Sequence, residues 1–349
     1  MEEKKKDVTI YDIASILNLS PSTVSRALND NSNVGNKTKK AVKKLALELG
    51  YRPNTIASSL RTTKTNTIGI MVSWINRPFV SSLISGAEKA ARAAGYNVII
   101  AQSYDETAIE IENLKGLYNS RISALIVSMA METEKYEHFD LFIKNGIPVI
   151  FVDRIPKLKK VSKVKINNFN AAFDATQHLI DQGCSRIAHF GGSPNQTIYE
   201  DRMHGYIAAL KKNNIEVDHS IIFNAKFLDV NESKQFIKKI LAMDDKPDGI
   251  FCANDQSAVT AIQELTAAHF KIPEDIAIIG FNNDPVCEII KPSLSSIDHP
   301  ATEMGRAAIE QALLQMDGNG VHYKTITQDQ IILDTNIIVR ESSNRLGLK

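Results

Sequence analysis

The chain has 349 residues, 43 % hydrophobic and 23 % charged, a soluble globular balance with material for two or more structural units. Its net charge of +1 is unevenly placed: up to Lys64 there are twelve Lys and Arg against six Asp and Glu, so this head carries +6 and the rest −5, which points to a polyanionic partner for the head alone. Three cysteines without CxxC spacing, Lys4–Lys6 followed by polar Asp7-Val8-Thr9 and apolar runs of only about five residues argue against a disulfide framework, a signal peptide and a membrane span, so a reduced cytoplasmic setting is expected.

Residues 1–50 read as short helices. Thr9 and Asp12 resemble a capping box, and Ile10, Ile13, Ala14 and Leu17 follow at helical spacing. Leu17-Asn18-Leu19 is a tight turn in which Asn18 can take the left-handed conformation. Ser20 caps the next helix and Pro21 sits at its first position, where a missing N–H costs nothing. Val24 and Leu28 are its apolar positions. A third helix is expected from about Lys37 to Leu49, stopping at Gly50, with Val42, Leu45 and Leu49 inward. Thr55 to Arg61 has room for about two further turns, and Thr62–Asn66 reads as a linker.

From Thr67 short apolar strands alternate with helical segments: Ile68–Val72, Val98–Ala101, Ala124–Val127 and Val149–Val152, then Ile187–Phe190, Ile221–Phe223, Ile250–Cys252 and Ile276–Ile279. Continuous apolar strands of this kind imply parallel sheets covered on both faces, and two series imply two doubly wound α/β subdomains.

Two short helices around a tight turn form a helix-turn-helix unit, whose second helix presents Ser22, Thr23, Ser25 and Arg26 to base edges in a major groove. Arg can bond guanine bidentately, while Ser and Thr accept several bases. Lys37, Lys39, Lys40, Lys43 and Lys44 circle more than one face, so for each a phosphate contact and a solvated surface are equal readings. Tyr11 is open between core and phosphate.

In a doubly wound sheet ligands bind beyond the carboxyl ends of the strands. Those ends carry Ser73-Trp74, Ser128 and Asp153-Arg154 in the first series, and Gly191-Gly192-Ser193, Asn254-Asp255 and Asn282-Asn283-Asp284 in the second. Carboxylates, amides, hydroxyls and one aromatic suit a polyhydroxylated ligand such as a sugar, with Trp74 either stacking on it or packed in the core. Gly191-Gly192 lacks both phosphate-loop spacings and reads as a turn. Asp255 is open between ligand and helix cap, and Arg202 between ligand and its neighbours Glu200 and Asp201. The eight histidines show no metal-ligand spacing, and no nucleophile or paired acid and base stands out, so no metal, cofactor or catalysis is expected.

Val8-Thr9-Ile10-Tyr11-Asp12-Ile13-Ala14, Ser20-Pro21-Ser22-Thr23-Val24-Ser25-Arg26-Ala27-Leu28-Asn29 and Leu49-Gly50-Tyr51-Arg52-Pro53-Asn54 resemble the N-terminal signature of the lac repressor (LacI/GalR) family. The resemblance continues through Ala94-Gly95-Tyr96, Glu200–Tyr206, Cys252–Asp255, Ile272–Phe281 and Met304–Arg306, to about residue 341. It implies an all-α DNA-binding headpiece on a core similar to periplasmic sugar-binding proteins. The boundaries it suggests are a headpiece at 1–53, a hinge helix and linker at 54–66, and a ligand-binding and dimerisation core at 67–341, followed by a tail at 342–349. Within the core, 67–165 and 298–325 form one subdomain, and 166–297 and 326–341 the other.

The resemblance assigns DNA contact to Tyr11, Ser20, Ser22, Thr23, Ser25, Arg26, Asn29, Tyr51, Asn54, Ala57, Ser58 and Leu60, with Leu60 wedging into the minor groove. Ser58 departs from the family's common Arg at that step. Trp74, Ser128, Asp153, Arg202, Asn254 and Asn282 fall at ligand positions. Asn282 stands where Asp is common, and Asn167-Asn168 where Asp-Asn is common. Both changes remove negative charge and so favour an acidic ligand such as a sugar acid. The implied function is a homodimeric transcription regulator, a repressor of pseudo-palindromic operators controlled by a carbohydrate effector. The body alone would also suit a sugar-binding transport component, but the basic head and missing signal peptide speak against that; an enzyme fused to a DNA anchor lacks catalytic residues.

Overall fold

In a computed structural model, which describes residues 8–51, 65–159, 161–316 and 330–348, the head forms three helices: α1 Ile10–Leu17, α2 Pro21–Leu28 and α3 Asn36–Glu48. The Thr9 backbone N–H donates to the Asp12 carboxylate at 2.7 Å and opens α1. Asn18, at φ 57°, ends it in the left-handed conformation. Ser20 Oγ then accepts the Thr23 N–H at 3.1 Å and starts α2. Gly50 closes α3 at φ +66°, where a side chain would be strained. Ile13, Ala14, Val24, Ala27, Val34, Val42 and Ala46 form a small core among these helices.

The chain divides into Met1–Thr65 and Asn66–Lys349. The second unit contains two six-stranded sheets. The first holds β1 Thr67–Val72, β2 Asn97–Gln102, β3 Ala124–Val127, β4 Val149–Val152, β5 Ser162–Ile166 and β11 Gln330–Leu333, ordered β11-β5-β4-β3-β1-β2 and parallel throughout. The second holds β6 Ile187–Gly191, β7 Ile222–Asn224, β8 Gly249–Cys252, β9 Ala277–Asn282, β10 Ser295–Asp298 and β12 Asn336–Ile338, ordered β12-β10-β9-β8-β6-β7. Its strands are parallel except for β12, which runs antiparallel to β10.

The chain passes between the sheets after β5, after β10 and between β11 and β12. The last crossing differs from the reading that gave 326–341 whole to the second subdomain, because β11 pairs with β5 of the first sheet. Residues beyond 341 also differ from a tail. Ser342 and Ser343 are buried, and the Ser342 hydroxyl donates to Ile278 O at 2.7 Å and accepts Ser295 N–H at 2.9 Å. Arg345 Nε donates to Pro273 O at 2.7 Å. These hydroxyl and guanidinium groups satisfy backbone atoms of the second sheet, so the segment is part of that subdomain.

Two helices of this unit pack as a close pair. α4 Pro78–Ala93 and α12 Ala301–Met316 cross with their backbones in contact. A Cβ on Gly86 would lie 2.0 Å from Thr302 O, and one on Gly305 2.0 Å from Leu83 O. The second crossing of the chain is thereby anchored on the first subdomain.

A buried histidine makes this core sensitive to acid. His189 on β6 stacks between Tyr206 and Phe251, at centroid distances of 5.1 and 5.0 Å, and Nδ1 lies 3.2 Å from Phe251 O. Burial lowers its pKa to about 4. The unfolded chain therefore takes up a proton near pH 6.5 that the folded one resists, and stability falls as pH drops from about 6.5 towards 4. The full loss is on the order of 3 kcal/mol. His189→Phe should lose less stability than the parent between pH 7 and 5; equal urea midpoints shifts would show that another group sets the acid limb.

Candidate nucleic-acid face and ligand cleft

Burial of Val24 and Ala27 fixes the rotation of α2 and leaves Ser22, Arg26 and Asn29 exposed. Ser25 and Thr23 are half-buried. Ser20 Oγ lies 2.8 Å from both Ser22 Oγ and Thr23 Oγ1, so the hydroxyls at this end form one local network. Asn29 Nδ2 donates back to Ser25 O at 3.0 Å. Tyr11 is 68 % exposed, which places it on the surface and not in the core. Tyr51 instead packs half-buried against the three-helix core, and burial raises its phenol pKa.

The lysines of α3 separate into distinct roles. Lys43 pairs with the Asp30 carboxylate at 2.6 Å, and Lys39 Nζ donates to Asp30 O at 3.0 Å, so these two brace the loop after α2. Asn54, Ala57, Ser58 and Leu60 lie outside the described residues.

In the second unit, a cleft of about 820 Å³ opens at the carboxyl ends of strands from both sheets. Trp74, Ser128, Asp153, Arg202, Asn254 and Asn282 all line it. Trp74 follows β1, donates from Nε1 to Asp105 Oδ2 at 3.0 Å and meets Tyr104 edge-on at 5.1 Å. Asp105 Oδ1 accepts from Met131 N at 3.1 Å and from the Arg154 guanidinium. Asp153 follows β4 at φ 57°, 8 % exposed. Burial raises its pKa, while Arg202 and Arg154 pull it back.

Arg202 comes from α8 Thr197–Lys212 and is 3 % exposed. It ignores its helix neighbours Glu200 and Asp201. Nε donates to Asn168 Oδ1 at 2.8 Å, NH1 donates to Ala253 O at 2.7 Å, and the guanidinium lies 3.5 Å from the Phe281 ring centre. Asn254 caps α10 Asp255–Ala267: Oδ1 accepts Ser257 N–H at 2.7 Å and Nδ2 donates to Leu228 O at 3.0 Å. The cap is thus Asn254, and Asp255 is neither cap nor cleft wall. Its carboxylate accepts from Ser296 Oγ at 2.6 Å and from Asp284 N at 2.7 Å, fastening β10 and the loop after β9.

Sequence reading missed His299, Asp105 and Arg77, all of which line the cleft. His299 is buried against Phe79, with ring centres 4.2 Å apart, and Nδ1 lies 3.3 Å from Asn282 Oδ1. Burial and Arg202 hold its pKa well below the ordinary value. Arg77 donates to Gln256 Oε1 from the first subdomain to the second, and Gln196 Nε2 donates to Met131 O from the second to the first. Asp105 lies just past the end of β2 and was legible by the strand-end rule; His299 follows a strand too polar to read as one.

All three cleft guanidiniums have partners: Arg77 with Gln256, Arg154 with Asp105, Arg202 with Asn168 and Ala253. Asp284 is pushed up to about 7, by burial first and by the nearby Asp255 second, while Arg77 opposes the shift. Among the described residues no group of three or more His, Cys, Asp or Glu is placed to hold a metal ion, and no helix is long and apolar enough to cross a membrane.

Residues 9–54 match the family described as bacterial regulatory proteins, lacI family, and residues 176–343 match a periplasmic binding protein-like domain. The chain is 31 % identical over 335 residues to the NTD biosynthesis operon regulator NtdR of Bacillus subtilis (strain 168), covering 96 % of this chain and 99 % of that protein. It is 32 % identical over 304 residues to catabolite control protein A of Priestia megaterium, covering 87 % and 91 %. A solved structure described as a transcriptional regulator CelR–cellobiose complex superposes with a TM-score of 0.72 at 26 % identity, over 96 % of this chain and 99 % of that one.

Proposed function

Since the chain belongs to the lacI family of bacterial regulatory proteins, DNA-binding regulators of transcription, we propose that it is a cytoplasmic homodimeric repressor whose hold on a pseudo-palindromic operator is set by a carbohydrate in the cleft. The observation that carries this reading is the cleft itself, where six strand-end and helix residues converge with an aromatic wall between two subdomains joined by three crossings. Closing such a cleft changes the pose of one subdomain relative to the other, and an effector that prefers one pose must alter operator affinity by the reciprocal factor. The solved relative's cellobiose complex supports a sugar as the class. Footprinting on promoter DNA tests the DNA half: a protected two-fold site is expected, and none in any bound promoter would sink it.

The exposed face of α2 makes a sharper test. Arg26→Ala should reduce operator affinity by roughly five- to a hundredfold and relax the preference at one base pair per half-site, since a bidentate base contact is worth about 1–3 kcal/mol. Affinity that falls evenly on all sequences would make Arg26 a phosphate contact instead.

A further inference from the structure

The effector class can be narrowed by counting donors and acceptors at one end of the cleft, an inference that rests on the carbohydrate reading above. Among the described residues, three buried side-chain atoms have no hydrogen-bond partner, and two of them, Asp153 Oδ1 and His299 Nε2, face each other in the cleft 3.8 Å apart. That separation is too long for a hydrogen bond between them. Buried polar groups left unpaired are costly, so a pair on a ligand cleft marks where ligand atoms belong.

Their chemistry decides which atoms. We place the ring proton of His299 on Nδ1, where it faces Asn282 Oδ1, an atom that only accepts, at 3.3 Å. A neutral imidazole with its proton there offers a lone pair at Nε2. Burial and the charge of Arg202 oppose a second proton. Asp153 Oδ1, a carboxylate oxygen, also accepts. The site is therefore two acceptors side by side. Two sugar hydroxyls, one hydrogen each, are needed to satisfy both; a single protonated primary amine has three hydrogens and satisfies both from one atom. The amine also brings a charge-assisted hydrogen bond to Asp153 Oδ1, since Arg202 and Arg154, though their charges act on this carboxylate, direct their hydrogen bonds elsewhere.

We propose that the effector is an amino sugar, seated with its ammonium between Asp153 Oδ1 and His299 Nε2. Asn282 is the residue that sets this preference, because its amide oxygen holds the imidazole proton away from the ligand.

Calorimetry on the full chain tests it with hexoses bearing a primary amine at C2, C3 or C6, each against its parent hexose, its N-acetyl derivative and the hexuronate. At least one amino sugar should bind tenfold or more tighter than its three counterparts. Asp153→Asn should erase that preference. His299→Gln, whose amide nitrogen can supply a hydrogen, should shift it towards the parent hexose and serves if Asp153→Asn does not fold. Parent hexoses binding as tightly as every amino partner, or the hexuronate binding tightest, would overturn the amine while leaving the carbohydrate reading intact. An amine preference that survives both substitutions would overturn the placement. Failure of every sugar to bind would overturn the carbohydrate reading and this inference with it.

Discussion

Leu60→Ala is expected to weaken operator binding roughly a hundredfold, about 3 kcal/mol, and to leave effector affinity unchanged. Residue 60 lies outside the described residues, so the expectation rests on the family signature that precedes it, Tyr51-Arg52-Pro53-Asn54, and on the physics of a short helix. A segment of about two turns is marginal in water and needs a surface to fold against. An apolar side chain inserted between base steps trades unstacking for a bent duplex that meets more protein. Removing the side chain forfeits that exchange without touching the cleft. The comparison that isolates the wedge is salt dependence. Substituting a phosphate-binding lysine lowers the slope of log affinity against log salt, whereas removing Leu60 should lower affinity at an unchanged slope. Operator affinity equal to the parent's would refute the wedge.

Much of this molecule is local, and the local part was legible. The Asn18 turn, the Ser20 cap and the Gly50 stop each depend on one residue and its immediate neighbours, and each stands where the sequence places it. The eight apolar strands announce themselves by their apolar runs; cover on both faces explains these for the inner strands but not for the edge strand β2, where Ile99 and Ile100 are exposed. β5, with its alternation of buried and half-buried residues, the polar β10 and the short β11 and β12 do not, since their stability comes from neighbours far along the chain. The cleft follows the same division. Strand ends located Trp74, Ser128, Asp153, Asn254 and Asn282. Which of these groups remain available is a non-local matter: the Asn254 amide is taken by a helix cap and Leu228, whereas Asp153 keeps an oxygen unpaired. The same accounting bears on the charge argument drawn from Asn282 and Asn167: of the guanidiniums around the cleft, Arg154 is paired with a carboxylate, whereas Arg77 and Arg202 keep their charge while bonding to neutral oxygens.

Arg202→Met should abolish the response of operator binding to effector, lowering effector affinity a hundredfold or more while basal operator binding persists. Arg202 joins four pieces of the second subdomain: its own helix, Asn168 at the start of α7 Asn168–Asp181, Ala253 after β8 and Phe281 on β9. Its charge also holds down the pKa of Asp153 on the first subdomain and opposes protonation of His299. Losing it leaves the Asn168 and Ala253 acceptors unpaired and Asp153 less compensated, and a truncated buried charge of this kind typically costs 2–5 kcal/mol. Two consequences separate this from simple loss of fold. Asp153 should titrate at higher pH in the variant, so any residual effector binding should weaken as pH falls over a range where the parent's does not. Arg202→Lys should fail almost as badly, since a single ammonium cannot reproduce the fork that reaches both acceptors or lie flat on the Phe281 ring. If the lysine chain instead responds to effector like the parent, Arg202 acts as a point charge and the two directed hydrogen bonds are dispensable. If the methionine chain responds as well, the message from cleft to headpiece does not pass through this residue at all.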